Sequence, residues 1–388
     1  MRKKSSGKRP PVAKKRKKKA VVEKKKSTTR KRSVRAKEQP AQVAVVAAPP
    51  SLVTELAAQP IPQPSSLRPH PSAKWPPAIL LMGPTASGKT AVATRLVRDL
   101  PCEIISVDSA QIYKGMDIGT AKPDAELLKR APHHLLDIIE PHESYSAARF
   151  RDDSLALMRE ITERDRIPLL VGGTMMYFQA LTEGLNDLPE ADPVIRMMID
   201  TMADEQGWPA VHARLARVDP ETAARLEPND SQRVQRALEI YLLTNQPMSK
   251  LLAKPKYVYF PYTPIRISLV PRDREVLHMR IAQRFDAMLK AGLVAELGKL
   301  REEYGLETNM PSMRSVGYRQ AWDHIEGRID AAALREQGIA ATRQLAKRQL
   351  TWLRSMENIT EFDCLADDLD DLVLEYVRRE LEAQLVGG

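Results

Sequence analysis

Four short apolar runs punctuate the chain: "AILLMG" (78–83), "EIISVDS" (103–109), "IPLLVGG" (167–173) and "TPIRISLVP" (263–271). Each is strand-length and bounded by turn or polar residues, the pattern of strands buried on both faces. Between the first two, Ala91 to Leu100 has helical character. Ser146 is placed to cap a helix whose apolar positions Phe150, Leu155, Met158 and Ile161 recur at helical spacing. Strands alternating with helices predict an α/β fold, a parallel sheet flanked by helices.

The interval from the third to the fourth strand is too long for a plain crossover. Residues 191–258 hold helical and loop patterns, so a helical insertion domain is expected there, between core segments 78–190 and 259–361. Beyond Arg272 the pattern is mainly helical, clearest in "RFDAMLKAGLVAELGKL" (284–300), and 362–388 reads as a C-terminal helical segment.

Charge changes the picture at one end only. Residues 1–38 hold 19 Lys and Arg against two Glu, which leaves 41 basic and 48 acidic residues in the rest of the chain. The net charge of +10 therefore belongs to the start of the chain, which reads as a disordered basic tail; 39–77, with "AAPP" and "QPIPQPSS", reads as a linker. Nucleic-acid binding by the remainder has to rest on local clusters. Two cysteines, Cys102 and Cys364, exclude a disulfide framework and a four-cysteine zinc site, and read as reduced thiols in a cytosolic protein. No apolar run reaches membrane-spanning length, and the basic start lacks the apolar stretch of a secretory signal.

The chemistry begins after the first strand. "GPTASGKT" comprises Gly83, Pro84, Thr85, Ala86, Ser87, Gly88, Lys89 and Thr90. A glycine-rich turn between strand and helix gathers backbone N–H groups around phosphate oxygens; Lys89 adds charge, and the Thr90 hydroxyl is a Mg²⁺ ligand type. Asp108 ends the second strand, at the sheet edge where ligands collect, either as a general base or as a helix N-cap or magnesium-ordering carboxylate. Gly172 and Gly173, followed by Thr174, end the third at the same edge. Basic helical segments follow: Arg233 and Arg236 share a face above the stripe of Val234, Leu238 and Leu242; Arg314, Tyr318 and Arg319 surround Gly317; Arg343, Lys347 and Arg354 run along one side with Arg348 and Trp352 nearby. Such rows are either solvated faces or tracks for a phosphate backbone. His133, His134 and His142 lack the spacing of a helical zinc pair and suit capping or core roles.

A P-loop small-molecule kinase would use the same loop, with ATP as donor. Against GTPase kinship, no Asn-Lys-x-Asp motif occurs, and "IPLLVGG" does not end in the acidic residue of a Walker-B strand.

Taken in order, "GPTASGKT", "SVDSAQIYKGMDIGTAKP", "HHLLDIIEP", "YSAARFRDD", "LLVGGTMMYFQAL", "SQRVQRALEIY", "RSVGYRQ" and "AKRQLTWLR" resemble the tRNA dimethylallyltransferases. The resemblance spans about Ala78 to Glu361. It implies a P-loop NTPase-like core with a tRNA-contacting helical insertion. The implied reaction transfers a dimethylallyl group from dimethylallyl diphosphate to N6 of the adenosine 3′ of the anticodon, in tRNAs reading codons that begin with U. Asp108, Thr174 and Arg196 match catalytic positions, the loop Gly83–Thr90 would hold the diphosphate, and Mg²⁺ would be bound at Thr90. The anticodon stem-loop would meet Asp108, Ser109, Ala110 and Gln111; Thr174 and Arg196; Gln232, Arg233, Val234, Gln235 and Arg236; Met313, Arg314, Ser315, Val316, Gly317 and Tyr318; and Lys347, Arg348, Gln349, Leu350, Thr351, Trp352, Leu353 and Arg354. The zinc-finger extension of the eukaryotic relatives has no counterpart, since Cys364 is the sole cysteine in the last third. A bacterial-type, cytoplasmic, monomeric enzyme is expected.

Overall fold

The computed structural model describes residues 75–256 and 258–386. The expectations for the tail 1–38, and for the linker 39–77 up to residue 74, lie outside the described residues. Six strands, β1 (Pro77–Met82), β2 (Cys102–Val107), β3 (His133–His134), β4 (Ile167–Gly172), β5 (Thr263–Val270) and β6 (Thr360–Asp363), form one sheet in the order β3-β2-β4-β1-β5-β6. All pairings are parallel. The four expected strands are its centre. The two unexpected ones are its edges, short and polar, so neither carries an apolar run.

Residues along each strand alternate between two cores. Leu80, Met82, Ile105 and Leu170 face one, with α3 (Ala147–Glu163), α4 (Met175–Thr182), α10 (Arg274–Ala291), α11 (Leu293–Tyr304), α12 (Tyr318–Ile325) and α13 (Ala331–Ser355). Ile79, Leu81, Ile104 and Leu169 face the other, with α1 (Lys89–Asp99) and α14 (Leu369–Val386). Cys102 and Cys364 are buried there as free thiols. A short helix, α2 (Ala125–Arg130), precedes β3. Ser146 caps α3 as expected, accepting from the Arg149 N–H at 3.1 Å. The stretch 284–300 is divided between α10 and α11, which meet at Gly292 with φ of 105°.

The interval 191–258 is helical: α5 (Pro193–Gln206), α6 (Trp208–Val218), α7 (Pro220–Arg225), α8 (Ser231–Thr244) and α9 (Met248–Leu252). Ile199, Val211, Leu215, Val234 and Leu238 give it a small core of its own. Asp219, fully buried, closes α7 onto α9 by accepting from Thr222 N, Ser249 N and the Ser249 hydroxyl. Among the described residues no helix is long and apolar enough to cross a membrane.

Two glycines let elements meet closely. A Cβ on Gly172 would run into the Val107 carbonyl, so β4 can end beside β2 only without a side chain there. A Cβ on Gly338 would clash with the edge of the Phe285 ring, where α13 crosses α10. Gly338→Val should destabilise the protein by about 1–3 kcal/mol through overpacking. Urea unfolding measures this, and an unchanged midpoint would contradict the packing.

Candidate active site

Strand register builds the site. Met82 pairs with Gly172, and Val107 pairs with Gly172 from the other side. The phosphate loop, Asp108 and the Gly173-Thr174 turn therefore leave adjacent strands at one edge, the usual ligand edge of such sheets. They open into one cavity of about 930 Å³.

At its floor the Lys89 ammonium donates to the carbonyls of Gly83 (2.9 Å) and Pro84 (2.6 Å) and weakly to Ser87 Oγ (3.4 Å). Burial lowers its pKa to about 7, with Arg284 adding repulsion and Asp108 opposing. Arg284, on α10, also lines the cavity, and burial lowers its pKa while Asp108 opposes. Among the described residues its guanidinium has no hydrogen-bond or ion-pair partner, so its capacity for an anion is unspent, whereas Lys89 is engaged with the loop's own acceptors. The sequence reading missed Arg284. Its one local signal is position, between Ile281 and Met288 on the buried face of an amphipathic helix.

Among the described residues Asp108 is the one carboxylate lining the cavity, against five Lys and Arg side chains: Lys89, Arg196, Arg284, Arg314 and Arg348. Its Oδ1 accepts from Ala110 N (2.8 Å) and Gln111 N (3.3 Å), which caps the turn. Its Oδ2 has no partner among the described residues. Asp108 thus caps a turn and not a helix, since no helix starts here, and one oxygen holds the carboxylate in place. Thr174 Oγ1 accepts from Ser109 N at 3.1 Å, which ties the β4 end to the β2 end.

Comparison with known proteins is consistent with this layout. The model of a family described as IPP transferase matches residues 111–356. A tRNA dimethylallyltransferase of Thiobacillus denitrificans is 61% identical over 308 residues, 79% of this chain and 98% of that protein. The chain belongs to the IPP transferase family. Another relative, the tRNA dimethylallyltransferase of Nitrosospira multiformis, is 57% identical over 78% of this chain and 94% of its own length. Among solved structures, a tRNA isopentenylpyrophosphate transferase from Bacillus halodurans aligns with a TM-score of 0.59 at 36% identity, covering 80% of this chain and 98% of that one. A eukaryotic dimethylallyltransferase acting on tRNA aligns at 0.63 with 26% identity, over 79% and 78% of the two chains.

Most residues for which family resemblance implies tRNA contact fall into three groups, while Gln235 and Arg236 are half-buried outside the cavity and Asp108 is described above. Ser109, Ala110, Gln111, Thr174, Arg196, Gln232, Arg314, Ser315, Val316, Arg348 and Gln349 line the cavity. Arg233, Lys347, Thr351, Trp352 and Arg354 are exposed outside it. Val234, Met313, Gly317, Tyr318, Leu350 and Leu353 are buried. These buried side chains serve packing, and the Tyr318 hydroxyl donates to Glu296 Oε1 at 2.5 Å. That same Glu296 accepts from the backbone N–H groups of Asp117, Ile118 and Gly119, so the "MDIGT" loop is fixed to α11 and α12. Gln235 donates to Asp200. A smaller cavity of about 390 Å³, lined by Arg314, Arg319, Arg328 and Trp322, shares Gln232 and Arg314 with the main one.

Arg196 reaches the cavity from the insertion. Its Nε and Nη2 donate to the Glu239 carboxylate at 2.9 and 3.1 Å. Glu239 is fully buried and also accepts from Arg236 Nη1 (2.7 Å) and Asp192 N (2.8 Å). Burial works to raise its pKa, but these donors together hold it below the usual carboxylate range. Glu239→Gln should cost about 1–3 kcal/mol, because a charged acceptor shared by two guanidiniums is lost. Thermal unfolding measures the cost, and an unshifted midpoint would contradict it. The histidines have local partners: His133 Nδ1 meets the Ala131 carbonyl at 2.6 Å, His134 Nε2 meets Glu103 at 2.9 Å, and His142 packs on Tyr304.

Proposed function

We propose that this chain transfers a dimethylallyl group from dimethylallyl diphosphate to N6 of the adenosine 3′ of the anticodon, in tRNAs reading codons that begin with U. The observation that carries the reading is the composition of one cavity: a phosphate loop at its floor, a single carboxylate on its wall, and arginines from the insertion and from α13 at its sides.

The donor's diphosphate lies in the Gly83–Thr90 loop, where the backbone N–H groups, Lys89 and Arg284 face it. As the C1–O bond breaks, negative charge grows on the departing diphosphate, and these groups stabilise it most in the transition state. Lys89 exchanges its carbonyl partners for phosphate oxygens. The adenine amine is a weak, amide-like nucleophile, so its nitrogen needs help as it bonds to C1. Asp108 Oδ2 accepts the N6 proton, while Oδ1 stays fixed by the turn. Diphosphate leaves with the electron pair of the broken bond.

The residues present suit Mg²⁺. The Thr90 hydroxyl is exposed on the cavity wall, and magnesium is commonly held by one or two protein oxygens with substrate phosphates and waters. When bound, it would further neutralise the leaving group. Thr90 would hold it, which leaves Asp108 free for the proton.

A loop nucleotide costs less to unstack than a duplex one, and the target adenine must leave its stack to meet Asp108. Arg196, Gln232, Arg314 and Arg348 line the side from which it would enter. The same reading has the chain act on tRNA as a monomer in the cytoplasm. The kinase alternative finds less support: β4 ends in Gly172 and Gly173, with no carboxylate for a Walker-B role.

The test is a substrate-consumption assay with tRNA lacking the modification. Dimethylallyl diphosphate should be consumed in step with a C5 mass gain on one adenosine. ATP turnover without that gain would favour the kinase.

A further inference from the structure

Gln349 stands in the segment 347–354 for which family resemblance implies tRNA contact, but its side chain turns inward. Its neighbours Lys347, Arg348, Thr351, Trp352 and Arg354 are exposed, while Gln349 is half-buried against the sheet edge. Its Oε1 accepts from Thr85 N, inside the phosphate loop, at 2.9 Å. Its Nε2 donates to the carbonyl of Gly173, at the end of β4, also at 2.9 Å. A Cβ on Gly173 would clash with that Nε2, so the turn admits the carboxamide only without a side chain there.

We propose that Gln349 is a positioning residue that sets the spacing between the donor loop and the acceptor base; this rests on the prenyl-transfer reading above. The bonds form a continuous chain. Thr85 N–H is joined through the Gln349 carboxamide to Gly173. The adjacent Thr174 hydroxyl accepts from Ser109 N, and Asp108 Oδ1 accepts from Ala110 N and Gln111 N. The loop that grips the diphosphate and the carboxylate that takes the N6 proton leave different strands, and β4 stands between them. Ladder pairing fixes the strands as far as Met82, Val107 and Gly172, and one more backbone bond, Thr174 N to the Val107 carbonyl at 3.2 Å, ties the β4 end to β2. Beyond those residues, these side-chain bonds hold the turns in register.

A primary carboxamide is suited to this task because it offers one acceptor and one donor from the same plane. Glutamate in the same place would keep the acceptor but set a carboxylate oxygen against the Gly173 carbonyl. Methionine would keep the length and lose both bonds. Misplacement of reacting groups by about 1 Å can cost on the order of 100-fold in rate. An RNA-contacting role makes the opposite prediction, weaker tRNA binding with normal turnover at saturation.

The test uses the full chain with Gln349→Met and Gln349→Glu, both substrates saturating. Turnover should fall roughly 10- to 100-fold in each variant, while KM for tRNA stays at its wild-type value. Hydrogen exchange in the peptide bearing Thr85 should be faster than in wild type. A raised KM with unchanged kcat would overturn the proposal, as would wild-type turnover in both variants. If Gln349→Met fails to fold, Gln349→Glu carries the comparison, being of the same size and shape. Should the wild-type chain itself transfer no prenyl group, the functional reading fails separately, and unchanged exchange at Thr85 would still overturn the bridge.

Discussion

Asp108→Asn will abolish most turnover while leaving tRNA binding close to wild type. Asparagine keeps an oxygen in the position of Oδ1, so the turn over Ala110 and Gln111 stays capped. What it removes is the proton acceptor at Oδ2, among the described residues the only carboxylate oxygen on the cavity wall with no structural duty. General-base assistance contributes about 10²–10⁴-fold, so kcat should fall within that range. Single-turnover assays with pre-bound tRNA separate chemistry from binding. A variant that turns over normally would remove Asp108 from the mechanism. One that simply loses tRNA would recast it as an RNA contact.

Lys89→Met will weaken diphosphate binding by about 10- to 100-fold and will also remove the part of its pH dependence that Lys89 contributes. Charge-assisted contacts of a buried ammonium are worth about 1.5–3 kcal/mol. The pH dependence follows from the sign of the pKa shift. In the free protein, burial first and Arg284 second hold Lys89 at about 7, well below its ordinary 10.5. Because the folded value lies below the unfolded one, this group adds stability to the free protein as pH rises from 7 toward 10.5, and none is added above that. A bound diphosphate supplies negative charge and restores the higher value. Binding above pH 7 must therefore take up a proton, and affinity should fall about tenfold per pH unit from there to the restored pKa. Calorimetry in buffers of different ionisation enthalpy reads the proton directly. Comparison with Lys89→Met subtracts the ligand's own titration. Proton release, or no difference between the two proteins, would contradict the burial of Lys89.

The parts of this design that were legible in the chain are those with local patterns. Central strands such as "AILLM" are unbroken apolar runs, and the phosphate loop has its own glycine spacing. The insertion shows as an interval too long for a crossover. The edges were not legible. β3 is two histidines and β6 is Thr-Glu-Phe-Asp, held by one neighbouring strand each rather than by an apolar signature. The division of 284–300 at Gly292 was missed because the apolar periodicity runs on through a residue whose backbone turns left-handed.

Within the site, Asp108 and Lys89 were found through strand ends and motif, whereas Arg284 was not. It meets Lys89 and Asp108 only because α10 folds back over the sheet edge, a long-range fact without a local code. Glu239 and Gln349 share its one sequence trait, a polar residue on the apolar face of a helix. The buried tyrosine and leucines of the basic segments illustrate the converse. A motif marks a segment, and helical phase decides which of its side chains face substrate and which face the core.

The central claim is that the loop after Met82 holds a leaving group, so the bond broken is carbon–oxygen. Dimethylallyl diphosphate labelled with ¹⁸O at its bridging position tests this with purified protein and unmodified tRNA. The account predicts a C5 gain on the adenosine 3′ of the anticodon, with all the label in released pyrophosphate. Label retained on a five-carbon alcohol, or phosphoryl transfer from ATP with no prenylated nucleoside, would contradict it.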